Sequence, residues 1–258
     1  MDKSMFETAL SHRTIREFTE EKVDEELVET LKKVANRTAT STGMQSYSII
    51  RIEDEKTRKA IAEIGGQEYI ARAPELWIFI VDVYRNSRIA REQGVELAAE
   101  RDADRFFQGF TDAALAAQNV TNAIEAAGLG AVYLGSILND AEALIDLLDL
   151  PELTFPVVGL GFGKPNQSPQ LKPRMDMELK FFTDRYREFD NYMDIIADYD
   201  EEMQTYYDLR EANRRVDSFS KQVVTRLENA TVNRANLAKI AEKQGFNLLG
   251  EEKDHAES

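Results

Sequence analysis

The sequence predicts an α+β or α/β sandwich, a small sheet with helices on both faces. Three observations carry this. Short apolar runs of strand type recur four times, at 48–52, 76–83, 131–134 and 155–160. Segments of helical period stand between them. One run, LWIFIVDV from Leu76 to Val83, is almost continuously β-branched or aromatic, the pattern of a strand buried on both faces. Helices alternating with a few such strands must cover the sheet in layers.

Taken in order, residues 24–36 (DEELVETLKKVAN) place Leu27, Val28, Leu31 and Val34 on one face. Acids fill the first turn and lysines follow toward the end, the arrangement that suits a helix dipole. Ser48 to Ile52 reads as a strand and residues 55–63 as a short helix. Pro74 marks where a loop hands over to the buried strand. Residues 104–127 form the longest helical pattern, and the alanine-rich stretch 113–127 suits a central helix packed closely on several sides. Gly128 is placed to stop it in the left-handed conformation. Ala131 to Leu134 follows as a strand. Asn139 with Glu142 resembles a capping box opening a helix at 140–149. Phe155 to Leu160 is the last strand. Residues 161–176 (GFGKPNQSPQLKPRMD) hold three of the six prolines and no period, a long loop of the kind that is usually functional. Beyond Phe189 the chain reads as polar helices at 190–209, 216–229 and 233–244. A disordered tail is expected from Glu251, and a single domain over 1–250.

Composition narrows the chemistry. With 258 residues the chain can bury a sizeable core. Lysine and arginine number 32 against 47 aspartates and glutamates, a net charge of −15, which argues against nucleic acid and anionic membranes as partners. There is no cysteine, so thiolate chemistry, Fe–S clusters and disulfides are excluded. The two histidines, His12 and His255, make no metal site between them. The first ten residues lack the apolar core of a secretion signal, and a soluble cytoplasmic protein is expected. Either carboxylates do the chemistry or a bound cofactor does.

Three basic clusters interrupt this acidic chain. Ser11-His12-Arg13-Thr14-Ile15-Arg16 gathers guanidinium forks and hydroxyls that suit a phosphate, or is a solvated basic turn. Lys172-Pro173-Arg174 sets two cations about a stiff proline, as an anion site or an ordinary surface loop. Arg210, Arg214 and Arg215 could hold a second polyanion or form a salt-bridged helix. The hydroxyl-rich Thr38 to Gln45 and the Gly65-Gly66-Gln67 turn are either plain loops or surfaces for a flat ligand. Gly128-x-Gly130 precedes a strand and Gly161-x-Gly163 leads into a proline-rich loop, so neither is a dinucleotide-binding turn. No GxxxxGK(S/T), HExxH or GxSxG occurs.

The order of these weak signals is more specific than any one of them. HRTIREFT, STGMQSYSIIRI, GGQEYIARAPELWIFIVD, DAALAAQNVTNAIEAAGLGAVYLG, PVVGLGFGKP, LKPR and YYDLREANRR follow one another from about residue 6 to 247. The series resembles the FMN-dependent nitroreductase superfamily, most of all its NADPH-dependent, oxygen-insensitive nitroreductase and flavin reductase group. The resemblance implies an α/β/α sandwich with a small, mostly antiparallel sheet and a helical C-terminal excursion at about 190–245. It implies an obligate homodimer with FMN at the subunit interface. His12, Arg13 and Thr14 would meet the FMN phosphate and ribityl chain, with Lys172 and Arg174 on the phosphate. Arg16 would lie at the pyrimidine edge and Gln67 would bond the ribityl chain or the ring. Tyr133, Leu134 and Gly135 would line the ring through their main chain. Thr40, Ser41, Met44 and Gln45 would reach the partner subunit's FMN. Arg210 and Arg215 would hold the NADPH 2′-phosphate end. The implied reaction is ping-pong hydride transfer from NADPH, or NADH, through flavin N5 to nitroaromatics, quinones or free flavin, with no catalytic side chain and no metal. A dedicated flavin reductase and a non-catalytic flavin-binding protein are the alternatives. Departures stand at Thr14 (usually serine), Gly43 (an aromatic in a close relative), Ser136 (a glycine) and 176–190.

Overall fold

The computed structural model describes residues 4–208, 214–215, 217–229 and 232–250. They fall into two compact units, one from segments 1–10, 14–167 and 231–258 and the other from 11–13 and 168–230.

The first unit runs α1 (Met5–Leu10), α2 (Glu25–Asn36), β1 (Tyr47–Arg51), α3 (Glu55–Gly65), α4 (Tyr69–Arg72), β2 (Glu75–Asp82), α5 (Tyr84–Arg91), α6 (Ala103–Ala126), β3 (Gly130–Leu134), α7 (Ala141–Leu147) and β4 (Thr154–Gly163). The sheet order is β1-β2-β4-β3 and every neighbouring pair is antiparallel. As expected, β2 is buried along its whole length. Val81 on one of its faces meets Gly109 of α6, where a Cβ would lie 2.7 Å from both Val81 Cγ1 and the Ser46 carbonyl oxygen. The absence of a side chain at Gly109 therefore sets how closely the central helix approaches the sheet. Ala113, Ala116, Ala117, Val120 and Ile124 continue that contact, buried along α6. Trp77 and Phe162 pack edge to face with ring centroids 5.3 Å apart. The indole N–H donates to Glu75 at 3.0 Å, and Glu75 in turn pairs with Arg51 at 2.6 Å, so the polar tip of a buried aromatic is satisfied. Fully burying a side chain of this size contributes roughly 1.5–3 kcal/mol.

Local signals account for most boundaries. Asp24 caps α2 by accepting from Glu26 N, and Asp54 caps α3 by accepting from Thr57 N. Gly128 follows α6 at φ +78°, the left-handed stop expected of it. Three readings need correction. The cap of α7 is Asp140, which accepts from Ala143 N at 3.0 Å, one residue later than the Asn139 box. Gly161 and Gly163 lie inside β4 rather than after it. They are there because neighbours crowd them: a Cβ at Gly163 would stand 2.5 Å from Pro74 Cγ, and one at Gly161 3.2 Å from Ala73 Cβ. The sequence reading does not anticipate the short helices α1, α4 and α5, of six, four and eight residues.

The second unit contains α8 (Tyr192–Ile195), α9 (Ala197–Thr205), the short ladder β5 (Tyr207–Asp208) with β6 (Arg214–Arg215), and α10 (Phe219–Glu228). The helix expected over 190–209 is thus two, and it is not wholly solvated. Asp200 is buried in α9 and accepts from Ser220 N at 2.9 Å and Ser220 Oγ at 2.5 Å, while the Tyr199 and Phe219 rings meet at a tilt with centroids 5.4 Å apart. Back in the first unit, α11 (Val232–Ala235) and α12 (Leu237–Lys243) close the described chain and bury Ile240 and Ala241. Among the described residues no helix is long and apolar enough to cross a membrane, and no group of acids and histidines could hold a metal ion.

Candidate active site

The first unit gathers ten of the predicted residues around two features, the outer edge of β3 and the loop before β1. At the edge, Thr14 forms a parallel bridge with Ala131, and Ile15 N donates to Ala131 O at 2.9 Å. Gly130 makes room for this, since a Cβ there would collide with the Ile15 side chain. One side-chain oxygen, Gln167 Oε1, then accepts from both Arg16 N (3.1 Å) and Glu17 N (2.7 Å). The backbone of Arg16 is therefore anchored twice. Its Nε is buried and finds no partner among the described residues. Leaving a buried donor unmet costs about 1–3 kcal/mol, a cost that an acceptor atom of a bound ligand would offset.

Past β3 the chain offers bare backbone. Leu134 is buried, Gly135 is exposed, and a Cβ built on Gly135 meets nothing within 4 Å. A flat group can approach the main chain here without a side chain in the way. Tyr133 points to the α6 face, where its hydroxyl donates to Gln118 at 3.2 Å and burial pushes its phenol pKa up. The Gly135 carbonyl accepts from Arg234 at 2.8 Å. Gln67 stands nearby in the same network. Its Oε1 accepts from Tyr69 and from Ser136, each at 2.8 Å.

The second feature is the loop holding Thr40, Ser41, Met44 and Gln45. Thr42 (φ +50°), Gly43 (+71°) and Gln45 (+51°) all lie in the left-handed region. For a β-branched threonine this is a strained backbone, costing on the order of 1–3 kcal/mol. Asp112, buried on α6, holds the strain in place: one carboxylate oxygen accepts from Ser41 N at 2.8 Å and the other from Ser46 N at 3.1 Å. Asn86 donates to Met44 O at 2.9 Å and Arg85 to Gln45 O. Burial and the Asp112 charge together push the neighbouring Tyr47 phenol up. A cavity of about 480 Å³ opens along this loop and β1, with Met44, Gln45, Arg85 and Asn86 among its walls.

The second unit holds the other cations. His12 and Arg13 share it with Lys172 and Arg174. Arg13 donates to Ser11 O at 3.0 Å, and Arg174 donates to Lys172 O (2.9 Å) and Pro173 O (3.1 Å). Burial raises the Tyr199 phenol, and the nearby Arg174 charge opposes that rise. Arg210 lies outside the described residues. Of Arg215 only the backbone is described, paired with Tyr207.

Sequence reading did not single out Asp112 or Arg234, nor Gln167, Arg85 and Asn86, which hold the same segments. Asp112 opens the DAALAAQ segment but carries no role there by itself, and Asp112 and Arg234 each act on a segment 66 to 99 positions away.

The family comparisons now have a geometry to attach to. The nitroreductase family model matches residues 9–164, which span the sheet, the β3 edge and the loop. The model of the family's C-terminal domain matches residues 172–249. This chain belongs to the nitroreductase family. Among relatives in that family, an oxygen-insensitive NADPH nitroreductase of Salmonella typhimurium is 36% identical over 241 residues, covering 93% of this chain and 97% of its own. An NADPH-dependent oxidoreductase of Staphylococcus aureus is 30% identical over 250 residues, covering 95% and 99%. Of the solved structures, NfrA1 of B. megaterium superposes with a TM-score of 0.87 at 33% identity, over 95% of this chain and 100% of that one. The NADPH:FMN oxidoreductase of Vibrio harveyi, complexed with NAD+, superposes with a TM-score of 0.83 at 30% identity, over 94% and 98%.

Proposed function

We propose that this family member binds FMN and transfers hydride equivalents from NADPH to nitroaromatics, quinones or free flavin in two successive half-reactions. The observation that carries the reading is the buried, unpartnered Arg16 Nε, anchored on the segment that borders β3 just before the open Gly135 backbone. A cofactor with a planar, acceptor-rich edge and a phosphate fits that donor set. Arg16 supplies positive charge to the pyrimidine edge of the flavin, and Tyr133, Leu134 and Gly135 supply the main-chain wall. His12, Arg13, Thr14, Lys172 and Arg174 supply cations and a hydroxyl for the phosphate and ribityl chain. Thr40, Ser41, Met44 and Gln45 serve the flavin of a second subunit, and Arg210 and Arg215 take the NADPH 2′-phosphate. Bound flavin supplies the two-electron chemistry at N5, and the chain supplies binding, orientation and charge. None of its described side chains need act as nucleophile or general base.

A homodimer completes the reading. Met5, Phe6 and Leu10 on α1 are 74%, 81% and 78% exposed, and Phe107 and Leu115 project from α6, against which α1 packs. An apolar surface of this extent supports burial against a second copy. We place the enzyme in the cytoplasm.

Initial rates with NADPH and menadione, a nitrofuran or free FMN test the reaction. Parallel double-reciprocal plots with at least one acceptor are expected. A flavin-loaded protein that oxidises NADPH with none of them would be a flavin carrier instead. A kcat/KM for free FMN far above the other two would mark a dedicated flavin reductase.

A further inference from the structure

The side chain of Gln67, a predicted flavin contact, is held by two other side chains. Its amide carbonyl oxygen has two lone pairs, and both are used: the Tyr69 hydroxyl donates at 2.8 Å and the Ser136 hydroxyl donates at 2.8 Å. These donors come from different elements, Tyr69 from the first residue of α4 and Ser136 from the 3₁₀ turn Gly135–Asp140. Gly65 makes the arrangement possible. A Cβ there would stand 2.7 Å from Ile70 Cδ1 and 3.0 Å from Ser136 Oγ, so a larger residue would drive the serine out of place. Asn139 donates to the Gly65 carbonyl at 3.4 Å and ties the same two segments again. The Gln67 Nε2 amide, in contrast, donates to none of the described residues, and the side chain is only half buried.

We propose that Ser136 and Tyr69 are positioning residues that lock the Gln67 amide with its carbonyl turned inward, so that Gln67 meets the bound cofactor only as a hydrogen-bond donor. An unrestrained glutamine presents either end of its amide. A locked one selects an acceptor, and flavin ring oxygens and nitrogens gain negative charge on reduction. The lock therefore favours the reduced over the oxidised cofactor. Ser136 stands where the family pattern has a glycine, so this chain carries a clamp that a glycine could not provide. The inference rests on the FMN reading of the site.

The test is FMN titration of the apoprotein by fluorescence quenching, with the midpoint potential of the bound flavin measured alongside. The proteins are wild type, Ser136→Ala, Tyr69→Phe, the double variant and Gln67→Glu. Each single hydroxyl deletion should weaken FMN about 2- to 10-fold, the range of one net hydrogen bond, and lower the midpoint potential. The double variant should lower both further. Gln67→Glu keeps the acceptor but loses the donor, and should show the largest loss of both. Tyr69→Phe removes a single oxygen from a half-buried ring and keeps the test open if the serine variant folds poorly. Wild-type affinity and potential in the double variant would overturn the clamp alone. Failure of the wild-type apoprotein to take up FMN would overturn the functional reading and the clamp with it.

Discussion

In the first unit the candidate residues hang from the sheet or from the helix behind it. In the second, the cations whose bonds are described are held by their own neighbours in sequence. Thr14 is registered against β3, Arg16 is anchored on Gln167, Gly135 follows that strand, and Ser41 is fixed by a carboxylate 71 positions away on α6. Arg13 and Arg174 bond carbonyls only one or two residues away, and Pro173 stiffens the backbone between the cations. A planar ring is read by shape and needs a rigid frame. A phosphate is read by charge and needs only cations on short, stiffened segments.

This comparison can be broken by substitution, and the largest effect belongs to the frame. Asp112→Ala leaves Ser41 N and Ser46 N unsatisfied beside a strained loop. It should cost about 2–6 kcal/mol of stability, taking about 1–3 kcal/mol for each unmet donor. Urea unfolding measures this, and a cost below about 1 kcal/mol would show that the loop holds itself. Arg16→Ala comes next. Loss of one charge-assisted contact should weaken FMN roughly 10- to 100-fold, with stability nearly unchanged because Arg16 Nε has no partner to lose among the described residues. Equal falls in affinity and stability would make Arg16 structural. Arg210→Ala should raise KM for NADPH about tenfold or more and leave KM for NADH near wild type. Equal changes for both nucleotides would count against the 2′-phosphate assignment. Arg174→Ala should have the smallest effect, a salt-sensitive loss of FMN affinity of a few-fold with no change in unfolding midpoint, because an exposed cation is screened.

The same contrast explains what could be read from the chain alone. The span LWIFIVDV can only be a strand buried on both faces, and β2 is one. Gly128 announced the end of α6 because few other residues adopt its φ cheaply. Both are local signals. Asp112 was invisible because its role is set by Ser41 and Ser46 across the fold, and alanine-rich surroundings made it look like any polar helix position. Gly161 and Gly163 were misread as loop because glycine has two uses, freedom at turns and room at close contacts, and only the neighbours Ala73 and Pro74 decide between them. Asp140 displaced Asn139 as the helix cap because adjacent residues of similar chemistry compete for that position, and the backbone of the preceding turn chooses. The cations proposed for the phosphate stand out because an acidic chain makes clustered arginines conspicuous. Their grouping with His12 was legible through the family resemblance, since composition alone left each cluster open to a solvated reading.

The most direct test is the visible absorption spectrum of the purified protein before and after anaerobic addition of NADPH. A bound flavin spectrum that bleaches on NADPH and returns when menadione is added is the predicted result. A colourless protein whose apo form takes up no added FMN, or a flavin that NADPH leaves oxidised, would contradict the account.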